Sequence, residues 1–312
     1  MPVHYFKSSD AGAPVLTGQA GSLIELLDAC LIDGYGDLDP AGWEIAFSDT
    51  DKRVYRSPTI GGKRDYYRVL NDGSGPGGDV FAYLRGYHTM TDVDTGSDPY
   101  PTPGQRTHGV SWMGSTVNDS SAREWSVIAT DKTVVVFVLF FPSGSSTQRI
   151  CLAFGEFQPI QTSDVGSAFV AGFSVDANFT SSNNALNRNA PPGSTQDGAW
   201  ISSNFAGSVI SVQAGMGAAG KGGSPTGWGV AGGPFPNPHI DGAVLSPVLI
   251  HDGLGVRGAI DLLFDPAHAS AGYPGNDVEF TGLDGVKYCW QRMWNTVGGA
   301  SANAALVARV SE

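Results

Sequence analysis

Three carboxylates stand close together in the segment 92–98, which reads DVDTGSD. A loop of this composition can bring the oxygens of Asp92, Asp94 and Asp98 to one point, and hard cations such as Ca²⁺ bind oxygen ligands at that density. The segment lacks the twelve-residue loop of an EF-hand and the Glu that ends that loop. Two hypotheses therefore stay open: a cation site at Asp92, Asp94 and Asp98, or an acidic turn with no ligand.

Histidine lies near aspartate at three further places. The pairs are His239 with Asp241, His251 with Asp252, and Asp265 with His268. Such a couple can orient a general base or supply metal ligands. Neither the nucleophile motif G-x-S-x-G nor the metal motif H-E-x-x-H accompanies them. We therefore expect structural roles for all three pairs, and the chain is predicted not to be an enzyme and to use no cofactor.

Two other features resemble binding sites on first inspection. Segment 72–78 (DGSGPGG) is rich in glycine but lacks the G-K-[ST] sequence of a phosphate loop, so we expect a hairpin connection there.

Large aromatic side chains can stack on sugars, although in a β protein they more often fill the core. The tryptophans that could stack on a sugar are Trp112, Trp125, Trp200, Trp228, Trp290 and Trp294. Because the carboxylate pair of a glycosidase is defined by its separation in space, that activity stays open as well.

The clearest helical pattern that could position such groups is near the start of the chain. Ser22 and Glu25 have the spacing of a capping box, an apolar stripe follows, and Gly34 ends it. Downstream, short apolar runs alternate with Gly, Ser, Asn and Pro turns, and Asp131 and Lys132 separate two runs at hairpin spacing. The expected fold class is α+β to mainly β: an N-terminal helix packed on antiparallel strands, followed by a Gly/Ser-rich part resembling a β-sandwich.

The composition of the chain changes near residue 158. We therefore predict an N-terminal α+β domain over 1–158 and a C-terminal β-rich domain over 159–312, which can share one core. Segments 89–108 and 215–238 read as long loops. Loops of that length are usually functional, and we expect them to act as arms between subunits.

The charge balance excludes some partners. The net charge is −12, from 18 basic and 30 acidic residues, so no nucleic-acid partner is expected.

The three cysteines show no C-x-x-C spacing and are expected to be reduced, buried thiols in a protein that folds in a cytoplasm. The first 14 residues contain no apolar run of the kind found in a secretory leader, so we expect none, and the longest apolar run, 133–141, is too short for a membrane helix, so membrane insertion is not expected.

Short motifs along most of the chain resemble a group of tailed-bacteriophage virion structural proteins. The motifs near the start are FKSSDA (6–11), APVLTG (13–18), GSLI (21–24) and LDACLIDGYG (27–36). Later ones are AGW (41–43), VYR (54–56), RGY (85–87), MTDVDTG (90–96), FGEF (154–157), FPNP (235–238) and LSPV (245–248). The order of the motifs carries the resemblance, which assigns no catalytic residue.

The resemblance implies a structural component of a tailed-phage virion, assembled in the host cytoplasm. We expect it in the distal tail or baseplate, acting by subunit assembly as a ring or trimer, with other phage structural proteins as partners. A capsid decoration or head–tail joining protein is one alternative. A receptor- or carbohydrate-binding module of the tail, contacting a host surface receptor, is another.

Overall fold

The computed structural model describes residues 2–58, 64–74, 80–115, 120–140, 148–161, 164, 166–172, 199–204, 207–218, 245–252, 254–266, 277–297 and 300–311. The elements among them are β1 (His4–Lys7), α1 (Ser22–Asp28) with a π-helical turn (Ala29–Asp33), β2 (Glu44–Asp49), β3 (Lys52–Arg56), β4 (Tyr66–Leu70), β5 (Val80–Met90), β6 (Gly96–Tyr100), β7 (Val110–Ser115), β8 (Trp125–Ala129), β9 (Thr133–Phe140), β10 (Gln148–Glu156), β11 (Gln158–Pro159), β12 (Ala168–Ala171), β13 (Ala199–Ser203), β14 (Val209–Ala218), β15 (Leu245–Asp252), β16 (Gly255–Pro266), β17 (Val278–Thr281), β18 (Lys287–Val297) and β19 (Ala300–Arg309).

The expected α+β fold class is wrong. Strands make up 55% of the structure and form three antiparallel sheets, whereas the described residues contain one short helical segment of 12 residues. That segment is α1 with its π-helical turn, and it is too short to form the helical layer that an α+β fold requires. The β-rich character expected from the sequence is confirmed.

Two of the three sheets follow one continuous path. The first, called the central sheet here, has the strand order β1-β8-β9-β10-β12-β13-β14. The second, the C-terminal sheet, continues from β14 in the order β15-β16-β19-β18-β17, and β11 pairs with β16. Strand β14 belongs to both, since Ala214 pairs with Ala199 of β13 while Gly215 pairs with His251 of β15. The third, the outer sheet, has the order β2-β3-β4-β5-β6, with β7 paired to β5.

Strands β8, β12 and β13 of the central sheet are buried on both faces, so the three sheets form three layers around them. Alternate side chains of β8 and β9, such as Val127 and Val136, join a core cluster with Tyr67 and Phe81 of the outer sheet. The intervening side chains, such as Phe137, join a second cluster with residues of the C-terminal sheet. Because neither face of β9 meets water over residues 134–138, the sequence there is apolar at successive positions instead of alternating.

The apolar face of the helical segment packs into the first of these clusters, whereas Glu25 and Asp33 are exposed. Its cap differs from the predicted capping box: Gly21 is the N-cap residue, and it makes no side-chain cap. The orphan amide of Leu23 instead donates to Oδ1 of Asn71 at 2.9 Å, from the end of β4. The Oγ of Ser22 accepts from the amide of Thr17, at 2.8 Å. The cap is therefore supplied by a residue far away in the sequence.

The predicted loop over 89–108 is wrong in part. Residues 96–100 form β6, which pairs with β5, so this segment is built into the outer sheet. Of the predicted loop 215–238, residues 215–218 belong to β14 and the remainder lies outside the described residues. The domain boundary near 158 stays a prediction, although β10 and β12 on its two sides pair directly.

Candidate functional site

The acidic segment 92–98 comprises the end of the β5–β6 turn and the first three residues of β6. The carboxylate of Asp94 binds two cations, Lys52 Nζ at 2.6 Å and Arg68 Nη1 at 2.9 Å. Asp92 accepts a hydrogen bond from the amide of Val93, and Asp98 accepts one from the hydroxyl of Ser97. Asp94 thus ties the turn to strands β3 and β4, and the cation site at Asp92, Asp94 and Asp98 stays a prediction.

The histidine–aspartate pairs do not form couples where the structure describes them. His251 and Asp252 are neighbours on β15, but the carboxylate of Asp252 turns to Arg257. His239, Asp241 and His268 lie outside the described residues. No group of three or more His, Cys, Asp or Glu residues that could hold a metal occurs in the part of the chain that the structure describes.

The glycine-rich segment 72–78 begins with a local turn, in which Asp72 accepts hydrogen bonds from the amide and the hydroxyl of Ser74. Trp125, Trp200 and Trp290 are buried and belong to the core clusters. Trp228 and the side chains of Trp112 and Trp294 lie outside the described residues.

A buried arginine joins three loops at one end of the central and C-terminal sheets. Arg257 lies on β16, and its side chain is fully buried. Its Nε and Nη2 donate to the two carboxylate oxygens of Asp164 at 2.8 and 2.7 Å, in the β11–β12 loop. Its Nη1 donates to the carbonyl of Ser203 at 2.9 Å, where β13 ends, and to Oδ2 of Asp252 at 3.1 Å, where β15 ends. We call the described residues of these three loops (160, 161, 164, 166, 167, 203, 204, 207–210, 251, 252 and 254–257) the loop end.

Each loop also has its own local bonds. Oδ1 of Asp252 accepts from the amides of Leu254 and Gly255, which fixes the β15–β16 turn. Oδ1 of Asp164 accepts from the amide of Gly166. A Cβ on Gly166 would come within 1.4 Å of the Ser203 hydroxyl oxygen, so only glycine allows the first two loops to lie against each other.

The electrostatics of this cluster favour the ionised state of its guanidinium. Burial alone would lower the pKa of Arg257, but the hydrogen bonds and negative charges of Asp164 and Asp252 outweigh burial and raise it. Two carboxylates around one guanidinium leave no acidic side chain of the loop end without a partner. The ion pairs of Arg257 with Asp164 and Asp252 therefore join the loops, and all three charged side chains are buried.

The surface of the loop end is apolar at several points. Leu254, at the tip of the β15–β16 turn, is 81% exposed, and Ile160 is 64% exposed. Ile160 lies beside β16, because its amide donates to the carbonyl of Arg257 at 2.9 Å. Val209, Ile210 and Val256 are also exposed. Exposed apolar side chains also occur elsewhere on the molecule, for example at Val15 and Leu283.

A second polar cluster joins the two end strands of the continuous sheet path. The Tyr5 hydroxyl of β1 donates to Oδ1 of Asp277 at 3.0 Å, and Lys7 Nζ lies 3.1 Å from Oε1 of Glu279 on β17. Gln291 Nε2 donates to the same Asp277 oxygen. Burial, with the charges of Cys289 and Asp277, raises the pKa of Tyr5, so its hydroxyl stays a donor. Side chains thus connect strands that share no backbone ladder.

A third cluster places a histidine beside a buried carboxylate in the outer sheet. Asp65 accepts from the Tyr100 hydroxyl at 2.8 Å, and its other oxygen lies 3.3 Å from Nδ1 of His88. Burial and the charge of Asp65 raise the pKa of Tyr100. Asp65 can orient the half-exposed imidazole of His88. Asp65 precedes β4, His88 lies on β5 and Tyr100 ends β6, so this cluster joins the three strands.

Sequence reasoning missed all three clusters. Asp164 and Arg257 are 93 residues apart, and Tyr5 and Asp277 are 272 apart. None of these residues stands in a motif, and their meeting depends on which strands pair. The one local signal was Asp252 before a glycine, which is typical of a turn.

Comparison with known proteins gives no family assignment. No protein-family model matches the chain, and no curated protein matches it significantly. Among the described residues, no helix is long and apolar enough to cross a membrane. The resemblance to tailed-phage virion proteins therefore stays a prediction.

Proposed function

We propose that this chain is a structural component of a tailed-phage virion, assembled in the host cytoplasm and located in the distal tail or baseplate. It acts through contacts with copies of itself and with other virion proteins, without catalysis. The order of the sequence motifs, which resembles that of tailed-phage virion proteins, supports the placement of the chain in a virion.

The loop end is the observation that supports assembly most strongly. A protein that works by subunit contact needs a surface whose shape is set before the partner arrives, because ordering loops on association costs free energy. Arg257 fixes three loops from inside, and the loops present Leu254 and Ile160 to solvent. The two core clusters pack the strands of the three sheets against one another.

The proposal is tested on phage particles purified through a density gradient. An antibody against this chain should detect it in the particle band, in a fixed ratio to the other virion proteins, and washing with high salt should not remove it. Detection only in the soluble fraction of the lysate would contradict the proposal. Tail and head fractions separated from disrupted particles then distinguish a tail component from a capsid decoration or joining protein.

A further inference from the structure

We infer that the outer face of the outer sheet binds an acidic saccharide through Arg56. The ligand is a sugar that carries a carboxylate or a phosphate, since a guanidinium binds both groups in the same two-point geometry. The inference goes beyond the proposed function and does not depend on where the chain lies in a particle.

Alternate side chains of strands β3, β4 and β5 point away from the core. Arg56 pairs in register with Tyr66, and Tyr66 pairs with Tyr87, so the three side chains lie side by side on one face. The intervening residues Tyr55 and Tyr67 belong to the core cluster between the outer and central sheets. Arg56 and Tyr66 are each partly exposed, so this face meets solvent there.

The Arg56 guanidinium is held in a fixed orientation by two contacts. It lies over the Tyr66 ring, 4.5 Å from the ring centroid, and its Nε donates to the carbonyl of Arg64 at 3.0 Å. Arg64 itself has a φ of 39°, a strained value that residues other than glycine rarely adopt. Neither Nη1 nor Nη2 of Arg56 bonds to a residue that the structure describes, so both can donate to one carboxylate or phosphate.

The neighbouring cations already have carboxylate partners. Arg64 donates to Glu44, which lies opposite Arg56 on β2, and Arg68 donates to Asp94 at 2.9 Å. Arg56 forms no ion pair with a carboxylate of the described residues, so its charge is the one on this side of Tyr66 that a ligand can neutralise. The side chains of Glu44 and Asp94 are 54% and 52% exposed, so their oxygens can also accept hydrogen bonds from hydroxyl groups.

This mixture of groups fits a saccharide better than a polyanion such as nucleic acid. A polyanion binds a row of cations, and a net charge of −12 repels it from a distance. A saccharide with one acidic group needs a single open guanidinium and nearby acceptors for its hydroxyl groups. Partly exposed Phe47, stacked on Tyr66 with ring centroids 6.2 Å apart, adds an apolar surface for the carbon atoms of the sugar.

The test measures binding to the full-length chain by isothermal titration calorimetry at low ionic strength. The probes are two matched pairs: tetragalacturonate with its methyl ester, and a mannose pentasaccharide that carries a terminal phosphate with its dephosphorylated form. We expect at least one acidic saccharide to bind at least about tenfold more tightly than its neutral partner, because hydrogen bonds between charged groups are the stronger ones. The pair that shows the difference identifies the acidic group as a carboxylate or a phosphate.

Variants of Arg56 connect that binding to the outer face. Arg56→Gln should weaken it at least about tenfold, because the charge and the two-point geometry are both lost. Arg56→Lys keeps the charge but loses the planar geometry, so we expect an intermediate loss. Lys287→Gln is the matched control, since Lys287 is an exposed cation at the start of β18 in the C-terminal sheet, and it should bind like wild type. Near-ultraviolet circular dichroism checks that each variant is folded.

Equal affinity for the acidic and neutral forms in both pairs would overturn the inference, as would a folded Arg56→Gln variant that binds like wild type. So would inorganic phosphate or a thymidine oligonucleotide that binds through Arg56 as tightly as the saccharide, because the site would then respond to charge alone. The outcome is separable from that of the proposed function. A chain found in particles without affinity for either acidic saccharide refutes only this inference, and a chain that binds through Arg56 but is absent from particles refutes only the virion role.

Discussion

Arg257 and Asp164 form a two-point ion pair in which Nε and Nη2 of the guanidinium meet the two oxygens of one carboxylate, at 2.8 and 2.7 Å. The pair is buried and joins a strand of the C-terminal sheet to the loop that follows β11. Planar geometry with two parallel bonds is the arrangement that distinguishes arginine from lysine. The third nitrogen of the same guanidinium, Nη1, bonds Ser203 and Asp252, so one side chain joins all three loops.

Removal of the Arg257 side chain should destabilise the protein strongly. Arg257→Ala leaves Asp164 and Asp252 buried without their partner, and breaking a buried pair in this way costs about 3–5 kcal/mol. Arg257→Lys keeps the charge but loses the two-point geometry, so we expect an intermediate loss. Urea unfolding at neutral pH measures both variants.

The exposed pair between Lys7 and Glu279 provides the control for that measurement. Lys7→Met removes an ion pair whose partners are 28% and 40% exposed, and exposed pairs contribute about 0–1 kcal/mol. If Arg257→Ala lowered the free energy of unfolding no more than Lys7→Met, the ion network would not hold the loop end.

Gly166→Ala should also destabilise the loop end. The added Cβ would lie 1.4 Å from the Ser203 hydroxyl and 3.1 Å from its Cα, so backbone as well as side chain must move. Overpacking of this kind costs about 1–3 kcal/mol. Gly104→Ala is the matched control, because a Cβ there meets nothing within 4 Å. Thermal unfolding should separate the two variants, and equal melting temperatures would refute the close approach of the two loops.

The three cysteines should be unreactive in the folded protein. All are buried thiols outside any disulfide, and burial raises the pKa of each thiol, to about 11 for Cys289. The nucleophilic thiolate is therefore scarce at pH 8. We expect Ellman's reagent to react slowly with the native chain and to titrate three thiols after unfolding in guanidinium.

An added surface cysteine calibrates the thiol experiment. Leu283→Cys places a thiol at a fully exposed turn, so one group should react at once while the native three remain protected. Rapid reaction of a native cysteine would show that its part of the core opens readily.

His251 should make the protein less stable as the pH falls. Burial lowers its pKa, although the charge of Asp252 acts in the opposite direction. The unfolded chain therefore binds the proton more readily than the folded one, so this contribution is complete above the unfolded value of about 6.5 and is lost as the pH falls through the folded value. The loss of stability between pH 7.5 and pH 5 should be smaller for His251→Gln than for wild type. Identical losses would exclude His251 as a source of the pH dependence.

Local signals predicted some elements of this fold correctly. The two-residue turn at Asp131 and Lys132 joins β8 to β9, with the amide of Thr130 bonded to the carbonyl of Thr133. Two apolar runs and a short polar break are enough to specify such a hairpin. Burial of all three cysteines was also predictable, because cysteine without a metal or disulfide pattern behaves as a small apolar residue.

Features that depend on distant residues could not be predicted in the same way. The capping box at Ser22 and Glu25 failed because Asn71 caps the helix from another element. The segment around β6 has the composition of a loop, and it forms a strand because β5 offers an edge to pair with. The loop end needs Asp164, Ser203 and Arg257 to meet across two sheets, and no spacing in the sequence encodes that meeting.

Immunogold electron microscopy of intact virions tests the central claim, a virion component in the tail, most directly. With an antibody against this chain, the account predicts gold particles at the distal end of the tail. Gold over the head would move the chain to a decoration or joining role, and intact virions without gold on any part, while the antibody binds the purified chain, would contradict the account.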